Sequence, residues 1–400
     1  MLKDIDRILA KKKLESMLLY SDSAKNANMY YLTGFLAPDP FIFVKKVDED
    51  PLIVVSQMEF SRAKKESFVK DVRPNMEYDF VKIIKSSSDP KVGGMKFIAN
   101  VARKEIGSRK PIFVPPNFPV MLGDVLRNEG LKIRPTFDVV EKARETKEPL
   151  EVELISSVQR VVEEATSNAV EFIAKAEIAR DGTLFYREGG KKRKLTAGKV
   201  RSVFDHTFAD KGCVAEEETI IACGPRSADP HYAGASNDVL KANQPIVLDI
   251  FPRSVKKRYV SDMTRTVVKG RATKAAKKMF ETVFEVRGAV LDAVRASVPG
   301  NRMQELCYKV FDKAGYQTIR GGKQITKGYV HGLGHGVGLE VHEGPGMGEF
   351  SKSPLEEHNV VTVEPGLYDP EIGGMRIEDV VEVTKKGCVD LTKMDICLEV

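Results

Sequence analysis

Apolar and polar positions follow two different rhythms along this chain. Over residues 1 to about 145, segments with apolar residues at helical spacing alternate with short apolar runs such as FIFVKKV (41–47) and PLIVVSQ (51–57). That alternation predicts an α/β arrangement. KPIFVPPNFP (110–119) is proline-rich and must be extended, so it reads as a strand followed by a loop. The segment EKARETKEPLEVELISSVQRVVEEATSNAVEFIAKAEIAR (141–180) then keeps helical spacing throughout, and its start, between Glu141 and Pro149, marks the expected domain boundary. TKAAKKMFETVFEVRGAVLDAVRA (273–296) predicts a second helix, with VPGNR (298–302) as its terminator. Around these helices lie strand-like runs: ETIIACG (218–224), QPIVLDIF (244–251), RYVSDMTRTVVKG (258–270), NVVTVEPGLYD (359–369) and MRIEDVVEVT (375–384). The second part is therefore mixed helix and strand with hairpins, an α+β unit. REGGKKRK (187–194) reads as a solvated loop rather than a phosphate or localisation patch, and KSSSDPKVGG (85–94) as a flexible turn.

Composition narrows the class. With 400 residues, 42% hydrophobic and 30% charged, the chain describes a water-soluble protein of two domains, 1–146 and 147–400. Its 63 basic and 57 acidic residues give a formal charge of +6, too evenly mixed to favour nucleic acid. The five cysteines (Cys213, Cys223, Cys307, Cys388 and Cys397) form no CxxC pair, so neither a disulfide framework nor a thiolate zinc site is expected. The first twenty residues are charged throughout, and no run approaches the roughly 18 apolar residues a bilayer span needs. A reduced, cytoplasmic protein without membrane or nucleic-acid partners is the expectation.

Candidate chemistry collects in the strand-like runs. Asp249 ends one apolar run and Asp262 falls in the next, with PRSVKKR as the turn between them; a hairpin would set the two side by side. Glu364 ends a third run and Glu378 lies inside a fourth. Buried carboxylates are costly unless a cation compensates them, so four of them point to one or two divalent ions. Three of the six histidines, His331, His335 and His342, fall within HGLGHGVGLEVHEGPG (331–346), among glycines. His206 and His358 sit in no motif.

The ordered set ADPHYAG (228–234), LDIFP with SDMTRT, HGLGHGVGLEVHE, VEPGLY and MRIEDVV closely resembles the pita-bread metallopeptidase family. That family includes prolidases, Xaa-Pro aminopeptidases, methionine aminopeptidases and the metal-free creatinases. The match covers roughly residues 147–400, and NMYYLTGF (28–35) with the α/β rhythm before it is similar to the creatinase-type N-terminal domain, which favours the proline-specific branch. The resemblance implies that Asp249, Asp262, His335, Glu364 and Glu378 hold two divalent ions, with Asp262 and Glu378 bridging. Mn2+ or Co2+ come first and Zn2+ is a further candidate. It implies attack by a hydroxide shared between the two ions, with Glu364 handling the proton. His342 and His231 would stabilise the substrate, His331 would line the prolyl side, and Arg376 and Tyr259 would orient ligand carboxylates.

Two departures from the family pattern stand out. Phe251 replaces the usual glycine two residues after the first aspartate, and the hairpin between Asp249 and Asp262 looks about two residues longer than usual. An even insertion keeps both aspartates on one face, whereas Phe251 is expected to reshape the pocket mouth. The implied protein is a prolidase-like metallopeptidase acting on proline-containing peptides, and by analogy a homodimer. An Xaa-Pro aminopeptidase acting on longer peptides is the alternative within the class, and the deciding feature is a group that reads the carboxylate after proline. A non-catalytic binding protein on the same fold is the alternative from another class; the complete ligand set argues against it, as it does against creatinase-like metal-free chemistry.

Overall fold

In the computed structural model, which describes residues 2–400, the chain forms two compact units, Met1–Arg144 and Glu145–Val400. The apolar runs of the first unit become a six-stranded mixed sheet in the order Asp71–Pro74, Leu52–Val55, Phe41–Lys46, Ser16–Ser21, Pro111–Val114, Lys132–Pro135. Its outer pairs are parallel and its Ser16–Ser21/Phe41–Lys46/Leu52–Val55 centre is antiparallel. Leu18, Ile42, Val44 and Ile112 pack on Phe97 and Ile98 of the helix Pro90–Glu105 and on Leu126 of Val120–Asn128.

The second unit holds two apolar cores. In one, Val162, Ala169 and Ile173 of the helix Pro149–Ala174 and Val200 and Phe204 of Ala197–Asp210 cover the antiparallel strands Ile220–Cys223, Ile246–Ile250 and Met263–Val267. In the other, Val283, Val286 and Val290 of Lys274–Ala293 and Phe311 of Gly300–Lys313 pack on Val361 and Val363 of Val360–Val363, Leu367 of Gly366–Asp369, Met375 of Gly373–Arg376 and Val381 of Asp379–Val383. The halves meet where Glu378 N donates to Thr264 O (3.1 Å) and Thr266 Oγ1 bonds both Arg376 O and Arg376 N. That seam positions the site. All five cysteines carry free thiols, and no helix among the described residues is long and apolar enough to cross a membrane.

Several sequence expectations need correction. The helical spacing of 141–180 hides a break: a short helix ends at Glu145, Glu148 is extended (ψ 158°), and the long helix starts at Pro149. A residue before proline is pushed out of the α region, and proline suits a helix's first position. VPGNR terminates nothing, because the preceding helix has already ended at Ala293 and Pro299 caps the start of Gly300–Lys313, a helix the apolar pattern did not announce. REGGKKRK is the tip of a β-hairpin, Leu184–Glu188 with Lys191–Lys194, its cations diluted by Glu177 and Glu188. In KSSSDPKVGG the Asp89 carboxylate accepts from Lys91 N at 2.7 Å, so the second half is the first turn of a helix.

Candidate metal centre

Strand register begins the site. Asp249 lies opposite Thr264 in the antiparallel pair, and Asp262, two residues before Thr264, takes the same face although it precedes the strand rather than lying within it. Glu364 follows directly on Val360–Val363, its N–H donating to Leu333 O (2.9 Å), and Glu378 falls in the break between Gly373–Arg376 and Asp379–Val383. His335 is tied to the Val360–Val363 strand by its N–H to Thr362 Oγ1 (3.1 Å) and by Thr362 N to His335 O (2.8 Å).

Glycine is required beside that histidine. A side chain at Gly334 would collide with the Thr362 carbonyl, and one at Gly336 with the Gly344 carbonyl. Gly336 and Glu343 exchange backbone hydrogen bonds (2.9 and 3.0 Å), which folds the segment back and sets the His342 ring edge-on to His335, centroids 4.4 Å apart.

One ligand atom each from Asp262, His335 and Glu378 lies within 4.8 Å of the others. His335 Nε2 is 3.8 Å from Asp262 Oδ2 and 3.4 Å from Glu364 Oε1. Its Nδ1 points at Gly336 O (3.2 Å), which places the ring proton there and leaves the Nε2 lone pair facing carboxylate oxygens. Two facing electron pairs repel unless a cation or a proton sits between them. Asp262 Oδ1, buried, has no hydrogen-bond partner, an expensive condition that a metal ion relieves. Asp249, Asp262, Glu364 and Glu378 are balanced by a single guanidinium, Arg376, which pairs with Asp249 Oδ2. The donor set is hard oxygen plus one imidazole and fits divalent ions of the Mn2+, Co2+ or Zn2+ kind.

The electrostatics agree. Burial first, then the neighbouring carboxylates, push the Asp262 and Glu364 carboxyls well above the usual carboxylate range and Glu378 up to about 8. Burial lowers His335 to about 4, with His342 adding to the effect, and burial followed by the Arg376 charge lowers His331 to about 3, so both rings are neutral near pH 7.

The surroundings hold this set in place, and much of that support has no motif. Thr264 Oγ1 accepts from Arg376 Nε (3.1 Å) and lies 3.0 Å from Asp249 Oδ1 and 2.7 Å from Glu378 Oε2. Tyr368 accepts from Arg376 Nη1 (2.9 Å) and sits 2.8 Å from His331 Nε2, whose Nδ1 is 2.7 Å from Gly332 O. Arg376 lies against the Asp249 carboxylate, and the Tyr259 hydroxyl donates to Glu151 Oε1 (2.7 Å) on the long helix. Thr264 lies between two of the candidate ligands, Asp249 and Glu378. The signal for Thr264 was its alternation with Asp262, a same-face position.

A cavity of about 390 Å3 opens over the cluster, lined by Asp249, Asp262, His335, Glu364, Glu378, Arg376, His231 and His342 together with Ile220, Phe251, Val341, Glu217 and Glu218. An adjoining lobe of about 250 Å3 adds His331. His206 is exposed, and His358 pairs with Glu382 at 2.8 Å; neither lines these cavities.

Behind the cluster, Lys147 Nζ meets Glu343 Oε1 at 2.8 Å, both side chains almost fully buried. Glu343 adjoins His342, so this pair props the turn that carries both rings. Lys147→Met is expected to lower stability by about 3 kcal/mol, the typical cost of breaking a buried pair from one side. Adding Glu343→Gln should restore most of the loss. Urea unfolding of the two single variants and the double variant checks the coupling.

Comparison with known proteins places the chain. The description "Metallopeptidase family M24" matches residues 153–385, and "Creatinase/Prolidase N-terminal domain" matches residues 1–102. The chain belongs to metallopeptidase family M24, an α+β protein with a creatinase-type N-terminal domain and a pita-bread domain. It is 27% identical over 394 residues to an Xaa-Pro dipeptidase of Pyrococcus horikoshii, covering 98% of this chain and 97% of that one. A crystal structure of the prolidase from Pyrococcus horikoshii superposes with TM-score 0.76 at 25% identity, covering 99% of each chain. The crystal structure of X-Pro aminopeptidase from Thermotoga maritima also gives 0.76 at 25% identity, with 98% of this chain and 100% of that chain covered.

Proposed function

We propose that this metallopeptidase hydrolyses the bond between an N-terminal residue and proline, prolidase-like, using two divalent ions held by Asp249, Asp262, His335, Glu364 and Glu378. The observation that carries the metal reading is the partnerless, buried Asp262 Oδ1 beside the outward Nε2 lone pair of His335. The proline specificity is supported by the similarity to an Xaa-Pro dipeptidase along nearly the whole chain. Two such ions would polarise the scissile carbonyl and make a bound water acidic enough to attack near neutral pH.

The protein's own groups do the rest. Glu364 borders both lobes, so its carboxylate can take a proton from the attacking water and hand it to the departing prolyl nitrogen. His231 and His342 line the cavity where the carbonyl would lie and can donate to its developing negative charge. Arg376, gripped by Thr264 and Tyr368, pairs with Asp249 and aims its carboxylate.

The test is release of proline from Ala-Pro and of alanine from Ala-Pro-Ala, with Mn2+, with Co2+ and after chelation. Cleavage of the dipeptide alone is expected and identifies a prolidase. Cleavage of the tripeptide would make the enzyme an aminopeptidase, whose similarity to the Thermotoga maritima structure gives that reading its footing. Activity that survives complete chelation would defeat the metal reading.

A further inference from the structure

The two lobes over the cluster differ in lining. His331, Gly332 and Gly334 border only the smaller one, which Pro230, Glu364 and Arg376 also line and whose rings and backbone offer a face for a prolyl ring. The larger lobe runs from Asp249 past Ile220, Phe251 and Val341 to Glu217 and Glu218. On the reading proposed above, the residue before proline therefore extends into the larger lobe.

That lobe is built in two zones. Its wall is apolar: Ile220 and Val341 are buried, and Phe251 packs on Val341, Val260 and Val337. Its lip is acidic and held by the backbone. Ala215 pairs with Pro252, and Glu216 N donates to Phe251 O (3.2 Å), which brings the turn carrying Glu217 and Glu218 to the Phe251 backbone. Glu216 is paired with Arg253, and Glu218 lies 3.3 Å from Arg201, a side chain already committed to three backbone carbonyls. Glu217 has no ion-pair partner among the described residues and borders the same cavity as the candidate metal ligands.

An apolar wall ending in an uncompensated carboxylate matches one kind of side chain, a methylene stem with a cation at its tip, which buries its stem and leaves its head at the wet edge. We infer that this enzyme prefers lysine or arginine before proline, with the stem on Ile220, Phe251 and Val341 and the cation at Glu217. Phe251, the departure from the family pattern, supplies the broad apolar face that a glycine could not.

The experiment compares kcat/KM for Lys-Pro, norleucyl-Pro and Glu-Pro, and for the same three peptides extended by alanine, in Mn2+. Norleucine keeps the stem and lacks the charge. Lysine should exceed norleucine about fivefold, the upper range for a solvent-exposed ion pair. The advantage should fade toward unity near 1 M salt, where the Debye length is about 3 Å. Glu217→Gln should reduce the lysine-to-norleucine ratio by a similar factor, through KM, and Glu217→Lys should invert the order of Lys-Pro and Glu-Pro. Equal rates for lysine and norleucine in the unaltered enzyme would overturn the inference while leaving the proposed function standing. An equal loss on every substrate in Glu217→Gln would also overturn it, by making Glu217 the partner of the α-ammonium group. Failure to cut any of the peptides would remove the proposed function and this inference together.

Discussion

Asp262→Asn is expected to abolish metal binding and lower kcat/KM by at least about a thousandfold, equivalent to about 4 kcal/mol of transition-state stabilisation. The substitution keeps shape and volume, removes the charge and replaces one acceptor oxygen by an NH2 donor. Asp262 is 3% exposed, one of its oxygens has no hydrogen-bond partner, and the other lies 3.8 Å from His335 Nε2. Those features are costs in a metal-free protein, and they turn favourable only when a cation is present. The same variant should therefore be more stable than the wild type in chelator, by about 1–3 kcal/mol, because it relieves the repulsion among Asp262, Glu378, Asp249 and Glu364. Added Mn2+ should then stabilise the wild type and leave the variant unmoved. Metal analysis, peptide hydrolysis and thermal unfolding with and without chelator test the three statements together. Retained metal and activity, or a variant weaker than wild type in chelator, would sink the assignment.

The second large effect is a pH dependence confined to the metal-free protein. A carboxyl whose folded value lies above its unfolded value holds its proton more tightly when folded, so its contribution is present at low pH and lost as pH rises. For Glu378 the window runs from the ordinary value near 4.5 to about 8, and Asp262 and Glu364 shift the same way. His331 and His335 act oppositely. Lowered from 6.5 to about 3 and about 4, they favour the folded state increasingly as pH rises, up to about 6.5. Below that point the two trends oppose each other; between about 6.5 and 8 the carboxyls act alone. Chelated protein should lose stability across that upper window, by up to about 1.4 kcal/mol per pH unit for each group. The metal-loaded protein should not, since ions compete better as protons leave. Thermal midpoints at several pH values, with chelator and with Mn2+, read this directly, and a chelated protein that gains stability from pH 6.5 to 8 would contradict it.

Much of this arrangement was legible before any coordinates. The central strands announced themselves as apolar runs because both faces of each are covered, and the residues that gather at the seam lie in short motifs whose local chemistry is unusual: a carboxylate inside an apolar run, a histidine between glycines. What stayed hidden depends on distance along the chain. The Lys147–Glu343 pair joins residues 196 apart, and nothing local marks either as a partner of the other. Thr264 and Tyr368 read as ordinary strand residues, since their importance comes from a shared guanidinium. The contact of Tyr259 with Glu151 was equally hidden, because the chain between Ile250 and Met263 leaves the ladder and carries the ring toward the long helix. Pro299-Gly300 misled in the opposite direction: the pair serves as well to open a helix as to close one.

The crowding around Gly334 and Gly336 reaches beyond the site. Irregular segments usually absorb the drift of a sequence over generations, because their backbone faces water and tolerates added bulk. Here the irregular stretch around His335 is wedged against the carbonyls of Thr362 and Gly344, so it has little latitude to change. At Gly288, on the helix Lys274–Ala293, an added Cβ meets nothing within 4 Å, so bulk that the irregular stretch refuses is accepted on a regular element.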